Sequence, residues 1–181
     1  MTVKMNEVRR YNLENVSIRL VKEASVFKTY RHLDCPEKVV DTLYDFVSSL
    51  DREVCMVVNL DNKGRPINYN LASIGTLDSA LVVPRELLKA GILSNAASMI
   101  MIHQHPSGNP EPSSHDDEIT SRMKYAGDII GIRLIDHIII GEPWDNFYSY
   151  NEHGRILNEK INYDIQRKFD KMISEERNKT L

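Results

Sequence analysis

Two histidines, His103 and His105, stand two residues apart where the apolar run ASMIMIHQ gives way to HPSGNPEPSSHDD. If that run is a strand, its period of two puts both imidazoles on the same side of the sheet. Eleven residues past His105 comes Asp116. Three prolines and a glycine keep the intervening backbone out of regular structure until Ser113 or Ser114, which places Asp116 in the first turn of a following helix. A loop so bent can fold the carboxylate back over the strand end. Two imidazoles and a carboxylate leave one tetrahedral position for water, the donor pattern of a catalytic zinc. The same residues have a structural reading. An H-x-H pair can be a polar strand end, and Ser113 with Asp116 matches an S-x-x-D helix start, with Ser capping and Asp favouring the N-terminus. Capping and ligation are compatible. Asp117 and His115 are competing donors, ranked below Asp116.

The elements that must position these groups are legible in the patterning. Residues 17–27, rich in Ile, Leu, Val and Phe, read as a strand, preceded by an arm over residues 1–16. From Pro36 to Leu50 apolar residues recur at helical spacing, with Asp34 or Cys35 as cap and Pro36 in the first turn. EVCMVVNLD (53–61), nearly continuously apolar, should be a central strand, joined at Asn62-Lys63-Gly64 to RPINYNLAS (65–73) in a hairpin. A short helix is expected over 84–94, a buried strand over 97–104 and a helix from Ser113 or Ser114 to about Ile130. Strands over 133–141 and 146–152 follow. Ile161, Ile165, Phe169 and Met172 then recur at helical spacing in a charged tail, residues 156–181. Helices alternating with strands, some joined by hairpins, indicate an α/β (α+β mixed) domain with a mixed central β-sheet flanked by helices.

Composition bounds the function. The 181 residues are 41% hydrophobic and 27% charged, within the globular range and enough for a core without structural metal. Net charge is −3, which argues against a dedicated nucleic-acid binder. Basic residues are in mild excess only at the two ends, where solvated faces account for them. Cys35 and Cys55, twenty apart, make neither a disulfide framework nor a cysteine zinc site, which fits a cytoplasmic setting. The first residues lack an apolar signal region, and no apolar run reaches bilayer length, so neither secretion nor membrane spanning is expected.

His103, His105, Ser113 and Asp116 together read H-x-H, seven residues, then S-x-x-D, which resembles the JAMM motif of JAB/MPN metalloproteases. VPRELLKAGI upstream, and IDHIIIG and FYSYNEHG downstream, are similar to the RadC-like branch of that family. The resemblance covers residues 17–155 and implies a JAB/MPN, cytidine-deaminase-like fold. It also implies a zinc-dependent metallopeptidase or isopeptidase, in which metal-activated water attacks an amide carbonyl. His103, His105 and Asp116 would then be ligands of Zn2+. Glu53, opening EVCMVVNLD, falls in the place of the general base, a role its chemistry suits. On its own it would read as a solvated strand-end carboxylate. Ser113 would donate to the developing oxyanion. Pro106, Ser107 and Gly108 match the family's loop, Pro106 by stiffening it and Gly108 by allowing a turn with positive φ.

Asp136 and His137 occupy the family's DH pair and are expected to support the ligands or the fold. Trp144 and Tyr148 could border a substrate groove but more often such aromatics pack. Gln104 departs from the Asn usual in this branch. The helix-hairpin-helix region of longer members is also missing here, which weakens a DNA-repair role. The implied partner is a peptide or isopeptide of unstated identity. The alternative function is a non-catalytic binding module linked to DNA repair or mobile-element DNA processing. The tail is expected to dock on its own domain or to pair two copies as a homodimer.

Overall fold

The structure is a computed structural model, and it describes residues 17–21, 28–50, 53–74 and 83–156. Pro36, whose fixed φ suits the first helical position, opens helix α1 (Pro36–Ser48). Val39, Val40, Leu43 and Val47 form its buried stripe. Strand β1 (Val54–Leu60) is buried at every position, as its nearly continuous apolarity, interrupted by Asn59, requires of a strand covered on both faces. It turns into β2 (Pro66–Ile74) through a loop held by Asp61, whose carboxylate accepts from the amides of Lys63 and Arg65 and from the Arg65 guanidinium. Helix α2 (Pro84–Leu93) and strand β3 (Ser98–Gln104) follow, then α3 (Ser114–Ile130), β4 (Arg133–Ile140) and the short β5 (Phe147–Ser149).

The strands lie in the order β2-β1-β3-β4-β5. β1 is antiparallel to both β2 and β3, the crossover through α3 makes β4 parallel to β3, and β5 returns antiparallel. The sheet is therefore mixed, and the domain is the mixed α/β fold read from the sequence. Alternation splits the core in two. Met56, Val58, Ile100, Ile102, Ile138 and Ile140 pack with α1 on one face. Cys55, Val57, Met99, Met101 and Ile139 pack with residues of α2 and α3 on the other. His103 shares the parity of Met99 and Met101, so the strand delivers it to the α3 face.

Two expectations change. Residues 17–21 carry no strand, and the rest of the 17–27 stretch lies outside the described residues. The last strand is three residues long, since the chain turns at Tyr150 to Gly154, where Asp136 binds the backbone amide of Asn151. Cys35 occupies the cap position of α1 without a side-chain cap bond, and Asp34 pairs instead with Lys38 at 2.6 Å. The arm over residues 1–16 and the helix expected beyond Ile156 lie outside the described residues. Ile156 itself is buried in the α3-side core. Among the described residues no helix is long and apolar enough to cross a membrane.

Candidate metal centre

The register of β1 against β3 brings the site together. Val54 pairs with Gln104 and Cys55 with His103, so Glu53, the residue before β1, comes level with His105 at the strand end. The His103 and His105 rings are 4.8 Å apart between centroids and nearly perpendicular. One side-chain atom from each of Glu53, His103 and His105 lies within 4.8 Å of the other two, a grouping that can hold a metal ion. Asp116 adjoins the same place: Oδ1 is 3.7 Å from His103 Nε2 and Oδ2 is 3.6 Å from His105 Nε2. All four residues singled out from the strand ends and the loop thus converge.

The donor set and its condition fit a metal. His103 is 3% exposed and its Nε2 has no hydrogen-bond partner, although Glu53 Oε1 lies 2.6 Å from it. A buried nitrogen left in this state calls for an explanation, and a bound ion is one. His105 donates from Nδ1 to the Asn109 carbonyl at 2.7 Å, leaving Nε2 to face Asp116. Fixing one ring nitrogen by a backbone carbonyl is how proteins orient imidazole ligands. Nitrogen and oxygen donors without thiolate suit zinc among other divalent ions. Cys55 lies beside His103, but burial pushes its thiol up to about 12, with Asp116 and Glu53 adding to the shift, so it stays protonated.

Ser113 and Asp116 also form the reciprocal cap that their spacing suggests. The Ser113 hydroxyl and amide donate to Asp116 Oδ2 at 2.6 and 2.7 Å, and the Asp116 amide donates to Ser113 Oγ at 3.2 Å. Oδ2 is thereby occupied within α3 and Oδ1 is left toward His103. Burial opposes ionisation of Asp116. The neighbouring His105 ring and the hydrogen bonds from Ser113 outweigh it and hold the carboxyl well below the usual range. Burial likewise opposes a charge on His105, but the nearby Asp116 carboxylate and the bond to Asn109 leave its pKa raised. Asp117, weighed as a competing ligand, turns away to Tyr150 and Arg155.

The loop after His105 is braced against the β4–β5 turn. Gly108 has φ +76°, and its carbonyl accepts from the Glu142 amide and from Asn146 Nδ2, both at 3.0 Å. A Cβ on Gly141 would stand 2.4 Å from that same carbonyl oxygen. Gly141→Ala is therefore expected to destabilise the protein by roughly 1–3 kcal/mol, as overpacking does. It should also displace the His105 loop, and thermal unfolding alongside metal titration reads both effects.

The DH pair serves the fold around the site. Asp136, 7% exposed, accepts from the Ser149 hydroxyl at 2.6 Å and the Asn151 amide at 2.9 Å. Burial pushes it up to about 6 despite these bonds. A carboxyl whose folded pKa is raised binds more protons folded than unfolded, so stability falls as pH rises from about 4 to about 6. Asp136→Asn should remove that fall. Relative to the variant, the parent protein is expected to lose about 2 kcal/mol across the window. Urea unfolding at stepped pH checks this, and parallel curves would contradict it.

His137 is 1% exposed and neutral, because burial beside His103 lowers it to about 3. Gln104 is buried as well, with Oε1 unpartnered. Tyr148 stacks on His153 at 4.0 Å, consistent with packing, while Trp144 is half exposed. Thr120, Tyr150 and Arg155 lie close behind the site and were not marked by the sequence. Only the i+4 spacing of Thr120 from Asp116 could have drawn attention to it.

Known proteins resemble this chain over a stretch that includes these residues. A family profile described as a RadC-like JAB domain matches residues 33–155. A UPF0758 protein of Rubrobacter xylanophilus is 44% identical over 124 residues, covering 68% of this chain and 53% of that protein. Another from Desulforamulus reducens is 45% identical over 122 residues, 67% of this chain and 53% of that one. One from Thermotoga maritima is 39% identical over 124 residues, 68% and 54% respectively. The chain thus spans about half the length of the curated relatives it matches.

Proposed function

Because the chain belongs to the RadC-like JAB domain family, we propose that it is a zinc-dependent hydrolase of peptide or isopeptide bonds. In this reading His103, His105 and Asp116 hold the metal, Glu53 is the general base and Ser113 the oxyanion donor. The observation that carries it is the convergence of Glu53, His103 and His105 within 4.8 Å around a buried imidazole nitrogen without a hydrogen-bond partner. Zinc bound there would supply Lewis acidity and make water a nucleophile near neutral pH.

The chain's own groups do the rest. Glu53, whose side chain is 21% exposed, can accept a proton at Oε1 from the attacking water and return it to the leaving amine nitrogen. His105 is oriented by Asn109, and Asp116 offers Oδ1 while Oδ2 is engaged by Ser113. The Ser113 hydroxyl must turn from Asp116 to reach an oxyanion, so its donation belongs to the substrate complex. The partner in this reading is a peptide or isopeptide-linked chain, and the setting is the cytoplasm.

Elemental analysis of the purified chain beside His103→Ala tests the proposal, followed by assay of zinc-loaded protein on peptide and isopeptide substrates. About one zinc per chain, absent from the variant, together with amide cleavage is the expected result. A folded wild-type chain that takes no zinc would overturn it and favour a binding module.

A further inference from the structure

Behind the convergent side chains lies a buried group that ligation leaves unused. His137, on β4, is 1% exposed, and its Nδ1 sits 2.6 Å from Thr120 Oγ1. The Thr120 hydroxyl donates its single hydrogen to the Asp116 carbonyl at 2.5 Å. The contact with His137 must then be donated by Nδ1–H, and the ring is the neutral tautomer with a bare Nε2. That Nε2 is buried and has no hydrogen-bond partner. One face of the ring stacks on Tyr150, with centroids 4.8 Å apart and planes 15° off parallel. The Tyr150 hydroxyl donates to Asp117 Oδ1 at 2.8 Å, and Arg155 holds Asp117 Oδ2 at 2.6 Å. The His103 ring lies 6.3 Å from that of His137, inclined at 73°.

An apolar side chain would fill this position without stranding a nitrogen in the core. What imidazole adds is the Nδ1–H, and that hydrogen bond runs through Thr120 to the backbone of Asp116. A second route runs from the same ring through Tyr150 to the carboxylate of Asp117. We propose that His137 is a positioning residue that, through Thr120, sets the first turn of α3 and so the height of the Asp116 carboxylate over His103 and His105. The inference rests on the metal-site reading given above. It assigns to the DH pair a task distinct from ligation: Asp136 fixes the turn after β5, while His137 fixes the helix that carries the third ligand.

Zinc titration of the full chain against a competing chelator tests it, together with nitrogen-detected NMR of the His137 ring in the metal-free protein. The expected spectrum shows Nδ1 protonated and Nε2 bare. His137→Leu and Thr120→Val should each weaken zinc binding by about 10- to 100-fold, as loss of an outer hydrogen bond does. The double variant should be no weaker than either single one. His137→Asn, which keeps an N–H close to the position of Nδ1, and Thr120→Ser, which keeps the hydroxyl, should both bind close to wild type. If His137→Leu fails to fold, the Thr120→Val and Thr120→Ser pair decides by itself. An Nε2-protonated ring, or zinc affinity unchanged in a folded His137→Leu or in Thr120→Val, overturns this inference alone. A wild-type chain without zinc affinity overturns it together with the hydrolase reading.

Discussion

Glu53→Gln is expected to lower amide hydrolysis by the zinc-loaded chain by about two to four orders of magnitude while leaving the zinc in place, since a base contributes about that much. The substitution is close to isosteric and removes only the basic oxygen and the charge. It also separates two roles that the geometry brings near each other. Glu53 belongs to the closest donor group with His103 and His105, and its Oε1 is 2.6 Å from His103 Nε2, so ligation and proton transfer are both within its reach. A ligand replaced by a neutral amide would release metal; a base replaced by the same amide would keep metal and lose turnover. Elemental analysis and turnover measured on the same preparation distinguish them. Full activity in Glu53→Gln with zinc bound would sink the mechanism.

How much of this could be read before the fold was known depends on the range of the interaction concerned. β1 was legible because burial on both faces demands a nearly continuous run of apolar residues, and Val54–Leu60 is one but for Asn59. α1 was legible from Pro36 and its apolar spacing, and the β1–β2 turn from its polar residues. Over 17–21 the expected strand is absent, because β-branched composition says only that a segment would fit a sheet, and nothing local tells it whether an edge is free. The last strand is shorter than its composition suggests for a related reason. Its end is set by Asp136, far along the chain, binding Ser149 and Asn151.

The site divides in the same manner. His103 and His105 announce themselves through the period of a strand, and Ser113 with Asp116 through the spacing of a capping box that the structure contains. Glu53 carries no local signal: only the antiparallel register of β1 with β3 brings it to His105. Thr120, His137 and Tyr150 are assembled from a helix, a strand and the turn after β5, contacts that no sequence pattern encodes. A sequence shows short-range chemistry directly. Long-range chemistry needs the register.

Asp116 carries both kinds of role, and substituting it should affect metal and fold together, whereas substituting its capping partner should affect the fold and leave the metal in place. Asp116→Ala is expected to weaken zinc binding by at least about 100-fold, because a three-ligand site would keep only two of its protein donors. It should also destabilise the helix start by about 1 kcal/mol, since the carboxylate no longer accepts from the Ser113 amide and hydroxyl. Ser113→Ala removes the hydroxyl that the Asp116 amide binds and should incur a similar loss of stability, about 1 kcal/mol, while retaining zinc. Chelator competition measures the first effect and urea unfolding of metal-free protein the second. Equal zinc affinity in the two variants would make Asp116 a cap and nothing more, and would return the third donor to Glu53, which already lies within 4.8 Å of both imidazoles.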